Sequence, residues 1–411
     1  MKKKILVQFG AGNIGRSFIG RVFGTNGYEA VFVDINNAVI DTLNREGAYT
    51  VVIKKNNVPD RIIEVPNTRG VHSQKLETVK ELVKNADIIA TSVGKNVLPI
   101  IAAAIAGGVV ERLNAYPGKP INIILAENLH NGAEFFKNAL KPHLPENFPL
   151  NKYVGVIETS IGKMVPIMPL EVVKENPTIV YSEEYNDLIL DKKAFIGKVP
   201  DIPEIKAVDS IDAYVDRKLC IHNMGHAAVS YFGNEAMPDA VYLYEVLCNQ
   251  DILGKVRRTM VQSADGLLAE YPEVFARQDL DDHIDDLLER FQNVALGDTI
   301  FRVGRDLPRK LYRDDRVLGA ARLCLKHELP YDTIIDIFLA GLRFQAKDES
   351  GFLFPEDERL LKSIAENGLG WVLMNMCKLN PEDPVDSELI RKIKEARWGP
   401  GLKNTVKRPK S

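Results

Sequence analysis

The sequence predicts an α/β fold in two parts, a doubly wound parallel sheet followed by a mostly α-helical domain, and three observations predict it. Short β-branched runs alternate with helical patterns up to about residue 165, as strands joined by crossover helices do. The glycine-rich FGAGNIG at 9–15 ends the first such run and opens a helical one. From about residue 210 the strand signal fades and long helical periods take over.

Each strand can be placed in order. KILVQF (4–9), AVFVD (30–34), DIIATSV (87–93), INIILAE (121–127) and VGVIETS (154–160) are the clearest. Between about 48 and 66, Asn56 and Asn57 separate two β-rich runs, which reads as an inserted hairpin. Residues 177–195 carry further strands expected to join the sheet region, and the two prolines of VPDIPEI (199–205) read as a linker. The expected domains are therefore 1–205, dinucleotide-binding, and 206–402, helical and catalytic. Helices are expected at 241–268, 279–292, 315–327, 331–346, 355–377 and 386–397, and the basic residues 403–411 read as a frayed tail.

Composition narrows the function classes. The chain has 411 residues, 45% hydrophobic and 27% charged, which fits a soluble globular protein with two cores. A formal charge of −3 supplies no whole-chain attraction to nucleic acid, so the expected partner is a small molecule, with neither nucleic acid nor membrane. Cys220, Cys248, Cys324 and Cys377 form no CxxC pair, and MKKK runs straight into the strand-like ILVQF without a leader, so a reduced, cytoplasmic enzyme is expected. The apolar run at 97–110 is shorter than the roughly 20 residues of a bilayer span and reads as a packed internal helix. Nothing in the sequence sets the oligomeric state.

The fingerprint places Gly10, Gly12 and Gly15 in G-x-G-x-x-G spacing, after a strand and before Ile14, Phe18, Ile19 and Val22, the pattern of a helix packing on a sheet. Gly10 permits the tight turn, Gly12 lets backbone amides approach a pyrophosphate, and Gly15 allows close packing of helix on strand. Ala11, Asn13 and Ile14 complete this cofactor loop. Asp34 closes the second strand about 20 residues on, where a carboxylate accepts from ribose hydroxyls and repels a 2′-phosphate, so NAD is favoured over NADP. Ser92, Val93 and Gly94 end the next sheet strand and are expected to contribute a second cofactor contact.

KLCIHNMGHAAVSY (218–231) carries the chemistry. At ~100° per residue, Lys218, His222, Asn223 and His226 share an arc of roughly 140° on a helix. His222 and His226 have the spacing of a helical metal pair, yet they supply only two ligands, with no HExxH glutamate or cysteine cluster nearby, so no metal is expected. Asn128 stands in LAENLHNG at the carboxyl edge of the sheet, where it either binds a carbonyl oxygen or caps the following helix.

Lys218, Asn223 and His226 in the order K-x-x-x-x-N-x-x-H, with FGAGNIG, the AEN segment and RFQN…RVGRDLPRKL (290–311), resemble the polyol-specific long-chain dehydrogenases over essentially the whole chain. The resemblance implies a Rossmann-type domain followed by a helical substrate domain. It also implies metal-free, NAD-dependent oxidation of a secondary alcohol, with mannitol 1-phosphate and fructose 6-phosphate as the expected pair. Carried over, Lys218 is the general acid/base, Asn128 and Asn223 hold the reacting oxygen, and His226 orients the substrate. Lysine suits that role when burial and a nearby positive charge lower its pKa. His222 has no assigned role, since the resemblance implies an apolar residue there.

Arg302, Arg305 and Lys310 are candidates for binding a substrate phosphate; ion pairing with the acidic run at 279–290 is the plainer alternative. Lys163 joins the substrate candidates because Gly162-Lys163 stands where the family commonly has an acid followed by arginine, which leaves the polyol open. An unphosphorylated polyol or a hexonate such as fructuronate remains an alternative, as does a non-catalytic NAD-binding regulator.

Overall fold

The computed structural model describes residues 3–129 and 131–396, so the expected tail at 403–411 lies outside the described residues. The chain divides into two compact units, Met1–Val215 and Asp216–Ser411.

The first unit is built on β1 (Ile5–Phe9), β2 (Glu29–Asp34), β3 (Ala48–Ile53), β4 (Arg61–Pro66), β5 (Thr68–His72), β6 (Ile88–Thr91), β7 (Ile121–Leu125), β8 (Val154–Ser160), β9 (Val180–Ser182), β10 (Leu188–Asp191) and β11 (Ile205–Val208). The main sheet runs β11-β10-β8-β7-β6-β1-β2-β5, and from β5 to β8 every pairing is parallel. Those six strands have the Rossmann order, with the switch point between β1 and β6. Alternate side chains of β1 feed opposite faces: Leu6 joins Phe18, Ile19 and Val22, whereas Val7 and Phe9 join Leu98, Ala102 and Ile105. The predicted helix face is therefore the buried one, with Ile14 partly buried against the same cluster.

The expected hairpin is present as β3 and β4, antiparallel, with Asn57 at φ 59° in its turn. β9 adds to β3 in parallel, making a separate three-stranded sheet. The apolar run expected as an internal helix forms Leu98–Ala115, long and apolar enough to cross a membrane by composition. It buries Ala102, Ile105, Ala106 and Val109, and Gly108 leaves no room for a Cβ, which would sit 2.5 Å from Val83.

Two strands escape prediction. β5, TRGVH, and β11, IKAV, are short edge strands with little alternation to read. β11 pairs in parallel with β10, so the residues just after 205 form a strand of the main sheet, and the two compact units part after Val215.

The second unit is helical, with no strand among its described residues. The helix expected at 241–268 is two, Leu243–Leu247 and Gln250–Glu270, because the Asn249 side chain accepts from the amides of Asp251 (3.0 Å) and Ile252 (3.2 Å) and starts a new one. The one expected at 355–377 breaks at Gly368, φ 81°. The chemistry-bearing stretch follows the helix Ile211–Arg217 as a π-helical turn, Lys218–Asn223, which continues as the α-helix Met224–Ala236. Met224, Ala227, Ala228 and Tyr231 are fully buried. Gly225 lets the helix Gln250–Glu270 cross closely, since a Cβ there would lie 2.7 Å from the Met260 sulfur.

Candidate active site

The candidate cofactor residues lie in the first unit. Gly10 has φ 93°, and a Cβ on it would lie 2.6 Å from the Ser92 carbonyl oxygen; one on Gly15 would lie 2.1 Å from the Gly10 oxygen. Both positions therefore require glycine. Gly12 is different, because nothing lies within 4 Å of its Cβ position and it is exposed, as is Asn13. Open space at the middle glycine, in front of a helix start, suits a pyrophosphate approaching the backbone.

The loop is held from beneath by Gln8, fully buried, whose amide donates to the oxygens of Phe9 (2.7 Å), Gly10 (3.2 Å) and Ser92 Oγ (2.9 Å). Asp34 Oδ2 accepts from the Ala11 amide at 2.6 Å, while Oδ1 accepts from Ile35 (2.7 Å) and Asn36 (2.9 Å). The carboxylate thus stands beside the glycine loop at the end of β2, with lone pairs left for ribose hydroxyls. Arg16, buried, ties the same loop to the Pro177 carbonyl oxygen at 2.7 Å and to that of Ala11 at 2.7 Å. These residues fit a bound dinucleotide.

At the end of β6, the amides of Val93 and Gly94 donate to Glu127 Oε1 and Oε2, at 2.8 and 2.9 Å. Glu127 therefore fixes that cofactor loop and precedes Asn128, which is exposed just beyond β7. Sequence reasoning passed over Gln8, Arg16 and Glu127. Glu127 stands within the AEN triplet, but nothing there tells a loop-fixing acid from a solvated one.

The candidate catalytic residues Lys218, Asn223 and His226 lie in the second unit. An α-helix would set Lys218 and Asn223, five residues apart, about 140° from one another. In the π turn hydrogen bonds reach five residues back, as Met224 N–H does to the Leu219 carbonyl, so residues five apart come to within roughly 50° of one another. The K-x-x-x-x-N spacing therefore puts both side chains on one face, and His226 follows three residues on. Lys218 is pushed down to about 8, by burial first and the Arg316 charge second.

His226 stacks on Phe291, with ring centroids 4.7 Å apart and planes 8° apart, and its Nε2 lies 3.0 Å from Asp298 Oδ2. Asp298 is itself ion-paired with Arg302. Burial, then Arg302, Lys310, Arg316 and Arg290, hold His226 down at about 3, so the ring is neutral at ordinary pH. Arg302 neutralises the adjacent carboxylate that would otherwise favour the imidazolium. His222, wholly inside, packs edge-on against His226 and Phe291 and is held well below its ordinary pKa, mainly by burial. Among the described residues no group of three or more His, Cys, Asp or Glu side chains is disposed to hold a metal ion.

Of the basic candidates, Arg302 and Arg305 are exposed near the end of the helix Ile300–Gly304, with Arg305 5.4 Å from the rings of both Phe301 and Phe354. Among the described residues, Arg302 and Arg309 pair with acids outside that run. Arg302 pairs with Asp298 and Arg309 with Asp306, while Asp281, Asp285 and Asp286 pair with Arg277, Arg257 and Arg290.

Two candidates are turned inward. Lys310 is buried, is pushed down to about 7 by burial first and then by the Arg316 and Arg309 charges, and donates to the carbonyls of Val303 and Arg305, closing the helix end. Lys163 is buried in the first unit, donating to the carbonyls of Glu183 and Tyr185 and to Asn186 Oδ1. Both are held inward because an ammonium taken out of water needs oxygen partners. Asp298, Phe291 and Arg316 are the site residues that spacing alone missed.

A Rossmann-type unit joined in one chain to a mostly helical unit is the build of a two-part dehydrogenase. Residues 4–204 match the mannitol dehydrogenase Rossmann domain and residues 210–370 the mannitol dehydrogenase C-terminal domain. The chain belongs to the mannitol dehydrogenase family and is a polyol dehydrogenase.

It is 30% identical over 399 residues to the mannitol-1-phosphate 5-dehydrogenase of Brevibacillus brevis, covering 95% of this chain and 98% of that protein. To the Bacillus pumilus protein of the same name it is 34% identical over 387 residues, covering 94% and 98%. Among solved structures, a D-sorbitol dehydrogenase in substrate-free form superposes with TM-score 0.76 at 14% identity, covering 95% of this chain and 93% of that one. Pseudomonas fluorescens mannitol 2-dehydrogenase, in ternary complex with NAD and D-mannitol, gives 0.69 at 13%, covering 96% and 95%. At those identities the likeness is one of fold.

Proposed function

We propose that the protein interconverts mannitol 1-phosphate and fructose 6-phosphate with NAD, without a metal, using Lys218 as general acid/base. The first unit binds the cofactor through Gly10, Ala11, Gly12, Asn13, Ile14, Gly15 and Asp34, with the loop Ser92-Val93-Gly94 beside them. Bound there, NAD supplies the hydride acceptor for alcohol oxidation. Neutral Lys218 takes the hydroxyl proton and returns it in the reverse direction. The amides of Asn223 and Asn128 donate to the oxygen on which charge develops. His226 orients the substrate.

The observation that carries the reading is Lys218 at about 8, inside a unit where the exposed arginines Arg302 and Arg305 stand three residues apart. That pair suits a dianionic ester, and Arg302 is already held below its ordinary pKa, by burial first and by Arg305 second. The names of the relatives point to the same substrate.

A substrate panel tests it. With NAD or NADH, mannitol 1-phosphate and fructose 6-phosphate should exceed mannitol, fructose and fructuronate in kcat/KM by about 100-fold or more, two charge-assisted contacts of roughly 1.5–3 kcal/mol each being lost without the phosphate. Equal values for mannitol and its phosphate would remove the phosphate from the reading; preference for the hexonate would replace it.

A further inference from the structure

Asp298 stands just ahead of the helix Ile300–Gly304, with its side chain 5% exposed. Its main-chain carbonyl accepts from Leu243 at 3.0 Å, and the next residue, Thr299, caps that helix by accepting from the Arg302 amide at 3.1 Å. The carboxylate cannot drift, because Oδ2 meets His226 Nε2 at 3.0 Å and Oδ1 meets the Arg302 guanidinium. An arginine beside a carboxylate favours its ionised form, in which both oxygens accept. The proton between Asp298 and His226 must therefore sit on Nε2. Phe291 fixes the plane of the imidazole and Asp298 decides which nitrogen faces it.

We propose that Asp298 is a positioning residue that locks His226 as the Nε2–H tautomer, so that Nδ1 is a hydrogen-bond acceptor and reads a substrate hydroxyl rather than a carbonyl or phosphate oxygen. This rests on the dehydrogenase reading, in which His226 orients the substrate. The histidine is thereby made selective, since a polyol offers a donor hydroxyl next to the reacting carbon, and a chain lacking it leaves Nδ1 unmatched. Because Arg302 shares the same carboxylate, the orientation of the histidine and that of the outer arginine are set by one buried side chain.

The test is the long-range proton–nitrogen spectrum of the full chain labelled on histidine nitrogen, with the His226 signals identified by their loss in His226→Asn. Between pH 6 and 8 His226 should show a protonated Nε2 and an unprotonated Nδ1. A proton on Nδ1, or on both nitrogens, would overturn the proposal. In Asp298→Asn the amide can face the ring with either oxygen or NH₂, so the tautomers should mix, and kcat should fall at least tenfold. An unchanged tautomer and kcat in that variant would also overturn it. Should the variant not fold, the wild-type spectrum decides. The spectrum needs no substrate, so a wild-type enzyme inactive on the whole panel would sink the functional reading while leaving the role of Asp298 decided.

Discussion

Replacing Lys218 by alanine tests the core of the mechanism. Burial and the Arg316 charge bring the ammonium from its ordinary 10.5 to about 8. At pH 7 about one lysine in eleven is then neutral, against about one in three thousand at the ordinary value, so the fold raises the supply of base by roughly 300-fold. Removing the base should lower kcat by about 10²–10⁴, or roughly 3–5 kcal/mol on the barrier. The sign of the pH dependence follows from which form works. Polyol oxidation needs the neutral amine, so kcat/KM climbs with pH and levels off above about 8; ketone reduction needs the ammonium, and falls above the same point. Initial rates followed by NADH absorbance from pH 6 to 10, in both directions, read both limbs. Lys218→Ala should lose both while binding NADH as the wild type does. Arg316→Gln should move the limbs upward, because one of the two causes of the shift is gone. A loss under tenfold in Lys218→Ala, or a limb near 8 that survives in it, would refute the assignment.

Two further outcomes separate binding from folding. Gly12→Ala should fold with an unchanged melting temperature but lose NADH affinity tenfold or more, since its Cβ meets no protein atom and would occupy only the space where a pyrophosphate comes in; Gly15→Ala, 2.1 Å from a backbone oxygen, should destabilise the first unit instead, and fluorescence titration beside thermal melts would distinguish the two. Asp386 is fully buried, accepts from the Asn380 amide at 2.9 Å and is ion-paired with Arg313 and Arg322. Those arginines are only 21–23% exposed, so Asp386→Asn should cost about 2 kcal/mol, somewhat less than breaking a wholly buried pair, and lower the melting temperature by a few degrees; an unchanged melt would show the network to be neutral.

The Rossmann half was legible because its signals are local. A parallel strand buried on both faces must be a continuous apolar run, and a turn position where a Cβ would lie within 3 Å of a backbone oxygen must be glycine. What could not be read were edge strands such as β5 and β11, whose pairing is decided by the neighbour rather than by their own pattern. The basic cluster shows the same limit at the site. Arg305 and Lys310 look alike in RVGRDLPRKL, yet one is exposed between two phenylalanines and the other is buried on two carbonyls. Charge is visible in a sequence; the direction of a four-carbon stem is not. Asp298 was hidden for a related reason, since its partner His226 is 72 positions away and no local rule connects them.

The π turn sharpens the point, because there the rule used to read the sequence is the one the fold breaks. Counting ~100° per residue spreads Lys218, His222, Asn223 and His226 over one broad arc and invites a histidine pair as its centre. The Lys218–Asn223 turn advances less per residue and brings positions five apart closer together, while His222 is buried against Phe291. The first helix does the same over Gly15–Gly20, directly behind the glycine loop. Among the described residues, the regular helix is therefore widened once in each unit: a π turn costs packing and hydrogen-bond regularity, and these two abut the fingerprint and hold the lysine proposed as the base. The helical period that locates these segments in the sequence is thus the period from which their functional side chains depart.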